Sequence, residues 1–318
     1  MEVVLEMLQY ILRRTIMIVP ILLGVTILVF SLMHISGDPV KLIYGTNLTD
    51  EMLQEKRQEL GLDQPVYKQY FQWVSKAVVG DLGVSIRTHA PVWNMIRDRI
   101  WATLELTIIA LFITLIVSIP TGIISAVKRY TIFDQFSRIF ALFWVSMPYF
   151  WLGLIFMLIF SINLDILPVS GRGGPIWTLD GFKYLILPSL TLGLPPAALF
   201  MRIIRSNMLE IIHEDYVRTA RSKGLGENKV IIKHAFRNAL ISVVTLLGLR
   251  IPWLFGGAVI TETVFAWPGM GRLLVDSIMK RDYPVVQGVV LIIAILVVIS
   301  NIAVDFAYAY LDPRIRYD

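Results

Sequence analysis

The sequence holds no cysteine, and charged residues make up only 17% of its 318 positions. Without cysteine there is no disulfide framework, no thiol nucleophile and no thiolate metal site. The four histidines, His34, His89, His213 and His234, are scattered, with no pair at metal-ligand spacing. Soluble domains carry about 25% charged residues, so this chain has too little charge to cover a surface in water. What fills it instead is apolar: 56% hydrophobic residues and a mean hydropathy of +0.68. That is the composition of a membrane protein. The net charge of +5 is then a matter of distribution between two membrane faces, and it does not point to nucleic acid.

Uncharged runs long enough to bridge a bilayer as helices, about 20 residues each, predict the crossings. Five read directly: Thr15–Met33, Leu106–Val127, Ile139–Leu164, Tyr184–Met201 and Pro284–Val304. A sixth, Asn238–Thr261, is interrupted only by Arg250. The fourth is short and carries Pro188, Pro195 and Pro196, which predicts a bent or unwound helix. Pro120 and Pro148 allow the same in the second and third. Arg13 and Arg14 before an apolar run also describe a signal peptide, but no small-residue cleavage site follows, and the run is read as an uncleaved anchor. With the N-terminus inside, the short inner segments hold fifteen Lys and Arg; the short outer loops hold only Arg172, Lys183, Arg272, Lys280 and Arg281. This bias predicts both termini in the cytoplasm.

Between the first two spans lies a long outer segment with helical signals of its own. Thr49 is placed to cap a helix whose first turn carries Asp50 and Glu51, with Gly61 as its stop. A second helix is expected from Pro65 to just before Gly80. Val66, Tyr70, Trp73, Val74 and Ala77 recur on one of its faces, so that face packs on something. The segment is either a structural cap on the outer face or a docking surface for an extracytoplasmic partner.

The most polar inner stretch runs from about Arg202 to Arg237. Within it Glu214 and Asp215 sit in the first turn of a short predicted helix, Arg221 and Lys223 in the last, and Gly224 follows as a stop. Tyr216 and Ala220 share one face at i, i+4, and Arg218 and Arg221 another at i, i+3. A further helical stretch is expected from about Glu227 through Val230, Ile231, His234 and Ala235 into the fifth span. A short helix across the inner face suits a groove on a cytoplasmic protein; a basic loop resting on lipid headgroups is the other reading.

The segment EDYVRTARSKGLGENKVIIKHAFRNAL, Glu214–Leu240, closely resembles the coupling loop of binding-protein-dependent ABC importer permeases of the dipeptide/oligopeptide type, the DppB/OppB family. Arg218-Thr219-Ala220 stands where the general motif has Glu-Ala-Ala, a departure usual in peptide-type members, and Gly224 falls where the motif has its glycine. GLDQPVYKQYFQWV (from Gly61), GDLGVSI (from Gly80), FAWPGMGRLLVDSIMKRDYPV (from Phe265) and YAYLDPRI (from Tyr308) agree in order along nearly the whole chain.

The resemblance implies an all-α integral membrane protein with six transmembrane helices and the type I ABC importer permease fold, carrying a partly helical extracytoplasmic segment between helices one and two. Residues 1–100 would be the first helix and that segment, 101–310 a five-helix transport domain, and 311–318 a cytoplasmic tail. It implies alternating access in the inner membrane of a prokaryote, with a second homologous permease, two ABC ATPases and an extracytoplasmic substrate-binding protein as partners. ATP and Mg would sit on the ATPases and no cofactor on this chain. The sequence agrees on one point by itself, since it contains no G-x-x-x-x-G-K-[ST] phosphate loop. Glu214, Asp215, Tyr216, Arg218, Thr219, Ala220, Arg221, Lys223 and Gly224 are the expected ATPase-coupling residues. Tyr216 and Ala220 would supply packing, Arg218 an ion pair and Gly224 the turn. Arg250, the one mid-span charge, has two readings: it pairs with a carboxylate elsewhere in the bundle, or it lines the translocation pathway.

Peptides are the expected cargo, with oligosaccharides or nickel and other metal chelates as alternatives within the same class. An intramembrane enzyme would need paired acids, a Ser–His dyad or a metal site inside the spans, and none stands at suitable spacing. A gradient-driven secondary transporter would lack the coupling loop.

Overall fold

The computed structural model describes residues 16–31, 50–59 and 63–311, and in them the regular secondary structure is helical apart from one isolated bridge between Val84 and Pro91. In chain order the helices are α1 (Ile16–Ser31), α2 (Asp50–Glu59), α3 (Val66–Val78), α4 (Val92–Val127), α5 (Ile132–Ser146), α6 (Tyr149–Phe156) and α7 (Leu179–Ile211). They continue with α8 (Asp215–Ser222), the single turn α9 (Glu227–Lys229), α10 (Arg237–Val264), α11 (Met270–Met279) and α12 (Tyr283–Leu311). Wider π-helical turns, Met157–Asn163 and Val230–Phe236, extend α6 and lead into α10.

Among the described residues four helices are long and apolar enough to cross a membrane: α4, α7, α10 from Ser242, and α12 to Ala307. The pair α5 and α6 makes a fifth if counted as one crossing, and α1 is shorter. The third run, Ile139–Leu164, is bent where Pro148 allowed it: it breaks at Met147–Pro148, and its halves meet at 108°. The proline ring drives the residue before it out of helical conformation, and Met147 accordingly adopts φ −90°, ψ 131°. The fourth run, expected to bend or unwind, is continuous helix from Leu179 to Ile211 with all three prolines inside it. It is the most enclosed span, 67% buried over its apolar stretch, so packing against neighbouring helices holds it where propensity alone would not.

Two compact units divide the chain. One comprises Met1–Trp101 with Gly269–Val298. There α2 carries Asp50 and Glu51 in its first turn as expected, while Thr49 and Gly61 fall outside the described residues. The packing face of α3 is real at its centre. Tyr70 meets the Phe30 ring of α1 edge-on at 5.4 Å, Trp73 lies 6.2 Å from it, and the Tyr70 and Thr26 hydroxyls are hydrogen-bonded at 2.9 Å. Val66, at the start of that face, is exposed. Two of the sequence signatures clasp each other: Ser85 Oγ and the Ile86 amide donate to the buried Asp282 carboxylate at 2.5 and 3.1 Å, and Arg87 Nε donates to the Lys280 carbonyl at 2.9 Å. Leu82, Val92 and Ile96 pack with Met270, Leu273, Val285 and Val289.

The other unit comprises Ala102–Pro268 with Ile299–Asp318. Its seam between α4 and α7 is backbone-close. A Cβ at Gly193 would stand 2.6 Å from the Ala110 carbonyl, and one at Gly122 would stand 2.8 Å from Ile204. Thr114 Oγ1 crosses the seam to the Gly193 carbonyl at 2.9 Å. Charge concentrates at both ends of this unit. At one, Arg172 Nη2 grips Glu105 at 2.7 and 2.8 Å, and Thr103 Oγ1 donates to the buried Glu262 at 2.6 Å. At the other, Ser125 Oγ donates to Asp134. Glu105 and Ser125 are twenty positions apart on α4, so the two ends are separated by about 30 Å of helix, the thickness of a bilayer core.

Candidate functional site: the polar loop after α7

The loop predicted to carry the function is built as α8, the turn α9 and the π-helical turn into α10. Glu214 is the N-cap, without a side-chain cap bond, and Asp215 lies in the first turn. Lys223 ends the helix, and Gly224 follows at φ +75°, the left-handed conformation that terminates helices and favours glycine. A Cβ at Gly224 would meet nothing within 4 Å, so the requirement for glycine here is one of backbone conformation alone.

The helix has two unlike faces. Val217 is fully buried and Ala220 nearly so, packed with Phe200, Ile204 and Met208 of α7 and with Val230, Ile231, Ala235 and Ala239 beyond. The packing of Ala220 is therefore within its own chain. Tyr216 is 40% exposed, and its hydroxyl accepts a 2.6 Å bond from Asn238 Nδ2, fixing it beside α10. Asp215, Arg218, Thr219, Ser222 and Lys223 are all exposed. Arg218 makes only a 3.7 Å contact with Asp215, and both side chains stand largely in solvent, 74% and 98% exposed. The result is a polar outward ridge on a firmly seated base.

Arg221 is the staple of the loop. Its Nη2 bonds Glu227 Oε1 at 2.7 Å, its Nε lies 3.2 and 3.3 Å from the two carboxylate oxygens, and its Nη1 reaches the Ile212 carbonyl at 3.3 Å. One guanidinium thus joins the end of α7, α8 and α9. Hydrogen bonding to Arg221 holds the Glu227 carboxyl below its ordinary range, and the same bond raises Arg221.

Sequence reasoning missed the residue that anchors α7 just above the loop. Asp134, fully buried, accepts from Arg205 Nε at 2.6 Å and Nη2 at 2.8 Å, from Ser125 Oγ at 2.5 Å and from the Tyr130 amide at 3.0 Å. It ties the ends of α4, α5 and α7 together. In the sequence Asp134 is one acidic residue among basic ones, and Arg205 counts only toward orientation. The nearest signal was Thr131, three residues ahead of Asp134, where a helix cap belongs.

Arg250 lies mid-way along α10, half-buried, far from the loop. Among the described residues no carboxylate pairs with it. Among the described residues no group of three His, Asp or Glu gathers as a metal site.

Residues 118–317 match the family described as binding-protein-dependent transport system inner membrane component, and residues 7–107 match the N-terminal membrane component of such systems. The dipeptide transport system permease protein DppB of Escherichia coli K12 is 42% identical over 98% of this chain and 99% of its own length. The di/tripeptide permease protein DppB of Pseudomonas aeruginosa is 42% identical over 98% and 99%. The glutathione transport system permease protein GsiC of E. coli K12 is 42% identical over 98% and 100%. Among solved structures, an inward-facing form of the MetNI methionine ABC transporter aligns with a TM-score of 0.56 at 18% identity, covering 68% of this chain and 95% of that one, a likeness of fold. The chain belongs to the binding-protein-dependent transport system inner membrane component family: it is the membrane-spanning permease of an ABC importer, not its ATPase.

Proposed function

We propose that this permease imports small peptides by alternating access. The observation that carries the substrate is likeness to peptide permeases over essentially the full length of the chain; a relative named for glutathione, itself a short peptide, points the same way. The chain would work beside a second homologous permease, above two ATPases that hold ATP and Mg, and below an extracytoplasmic binding protein. It would cross the inner membrane six times with both termini in the cytoplasm, in the type I importer fold. In this reading α1 and the partly helical outer segment, residues 1–100, precede a transport domain over 101–310 and a short tail.

The loop supplies the coupling. The exposed ridge of Asp215, Arg218, Thr219 and Lys223 would enter the ATPase cleft with Glu214 and the outward half of Tyr216. Ala220, Arg221 and Gly224 would serve from behind: Ala220 seats the helix, Arg221 braces it, and Gly224 turns the chain. Motion imposed on α8 passes into α7 through Phe200, Ile204 and Met208, and through Arg205 and Asp134 into α4 and α5. The test is uptake of a radiolabelled dipeptide into proteoliposomes holding the four-subunit complex, with binding protein and ATP supplied. Accumulation that requires both supports the reading; accumulation driven by an ion gradient without ATPases overturns it.

A further inference from the structure

An apolar groove of about 190 Å³ runs between α4, α5 and α7, its lining drawn from one compact unit. Down α5, Phe136, Phe140 and Trp144 recur every four residues and form one wall. Phe136 stacks on Phe140 at 5.9 Å, and Phe140 meets Trp144 edge-on at 5.2 Å. On the α7 side Ala197 and Ala198 present only short side chains, which leaves the space open. Val117 and Thr121 of α4 complete the lining, and Thr121 spends its hydroxyl on carbonyls of its own helix. The groove therefore calls for an apolar occupant. An apolar cavity of about 150 Å³ takes benzene, whereas a helix is about 10 Å across. This space admits a flexible chain of methylenes and is too narrow for a helix.

One end of the groove is cationic. Lys128 continues the helical register of α4, its amide bonded to the Ile124 carbonyl at 2.8 Å, so Val117, Thr121 and Lys128 fall on one face. Lys128 stands about 10 Å along the helix from Thr121, in the turn that joins α4 to α5. Arg129 follows it, resting on the Tyr130 ring with its guanidinium 4.4 Å from the centroid. Both cations are exposed, and neither has a carboxylate partner among the described residues. Asp134 fixes this turn, accepting from the Tyr130 amide at 3.0 Å while its own amide donates to Thr131 Oγ1 at 3.4 Å. Its charge is already met by Arg205, so the turn stays positive. In the orientation proposed above this is the cytoplasmic end, where a second permease would bring further cations and repel.

We propose that this groove holds one anionic phospholipid, its phosphate on Lys128 and Arg129 and one acyl chain along the wall of Phe136, Phe140 and Trp144. Basic pockets between membrane helices take lipid headgroups in this way, through charge-assisted hydrogen bonds to phosphate oxygens. The lengths agree. Trp144 is twelve residues beyond Ile132, the first of α5, hence about 18 Å from the turn, close to half of a hydrocarbon core about 30 Å thick. A chain lying there props α5 beside the junction of Asp134 and Arg205.

The test uses the assembled four-subunit complex in phosphatidylcholine vesicles that carry a trace of lipid with a diazirine near the end of one acyl chain. Phosphatidylglycerol tagged in this way should label the peptide from Phe136 to Trp144 about tenfold more than tagged phosphatidylcholine, as two cations at the headgroup imply. Lys128→Gln with Arg129→Gln should bring the two lipids to the same level. Lys229→Gln with Lys233→Gln, which removes two exposed lysines of the polar loop, should leave the preference intact. Benzoylphenylalanine in place of Phe136 should give a photoproduct heavier than the chain by one lipid. Equal labelling by the two lipids overturns the site, as does a preference that survives the loss of Lys128 and Arg129 or falls equally with Lys229 and Lys233. A photoproduct of Phe136 with the second permease also overturns it, because that subunit would then fill the groove.

Discussion

Arg205 and Arg250 are both arginines on long helices of one unit, and they are treated oppositely. Arg205 is 16% exposed and bound twice by a carboxylate that also takes a hydroxyl and a backbone amide. Arg250 is half-buried with no carboxylate among the described residues. The first charge is saturated, so it can only hold helices together. The second retains binding capacity at a depth where capacity is expensive. A buried charge met on all sides builds structure, whereas one without a carboxylate among the described residues does not brace helices in that way.

The comparison breaks most readily at Asp134. Asp134→Leu strands Arg205 in a buried site and should cost about 3–5 kcal/mol, while Asp134→Leu with Arg205→Met should recover much of that loss. Thermal unfolding of the detergent-solubilised chain measures both, and equal destabilisation by the single and double variants would refute the saturated cluster. Overpacking comes next: Ala220→Leu forces a larger side chain into the seat of α8 and should cost about 1–3 kcal/mol. Arg218→Leu, on the exposed ridge, should leave unfolding unchanged yet lower binding-protein-stimulated ATP hydrolysis. Gly224→Val must hold a β-branched residue at φ +75° and should cost about 1–2 kcal/mol, uncoupling hydrolysis from uptake. Gly226→Ala at φ −59° should do neither.

The smallest loss of stability is expected at Arg221→Met, about 1 kcal/mol or less, because Glu227 is half-exposed. This pair also gives a sign for pH. Glu227 is held below its unfolded range, so its contribution is present above the unfolded carboxylate range and lost as pH falls through the lowered folded value. Acid titration of unfolding should show that loss in the parent and not in Arg221→Met.

Much of this was legible in the sequence because local rules wrote it. The dipole-matched charges of Glu214, Asp215 and Arg221 and the stop at Gly224 placed α8 almost to the residue. Hydropathy located the apolar runs for the same reason, since a bilayer selects on length and polarity alone. What local rules could not show was tertiary. Three prolines predicted a broken fourth span, but burial of most of its apolar stretch kept α7 helical; Pro148, on a less enclosed helix, broke the third. The pattern of α8 put Tyr216 and Ala220 on one face without saying that Ala220 faces inward. Asp134 and Arg205 are 71 residues apart, and nothing local announces such a pair.

The absence of cysteine makes the most direct test simple. Single cysteines at Thr219, exposed on the ridge, and at Val217, fully buried beneath it, enter a chain that has no other. A short thiol–amine cross-linker applied to the assembled complex in inside-out vesicles should join Thr219→Cys to an ATPase subunit and leave Val217→Cys unlinked. Linkage from Val217→Cys alone, or none from Thr219→Cys in a complex that still hydrolyses ATP, would contradict the assignment of this ridge as the place where the ATPase takes hold.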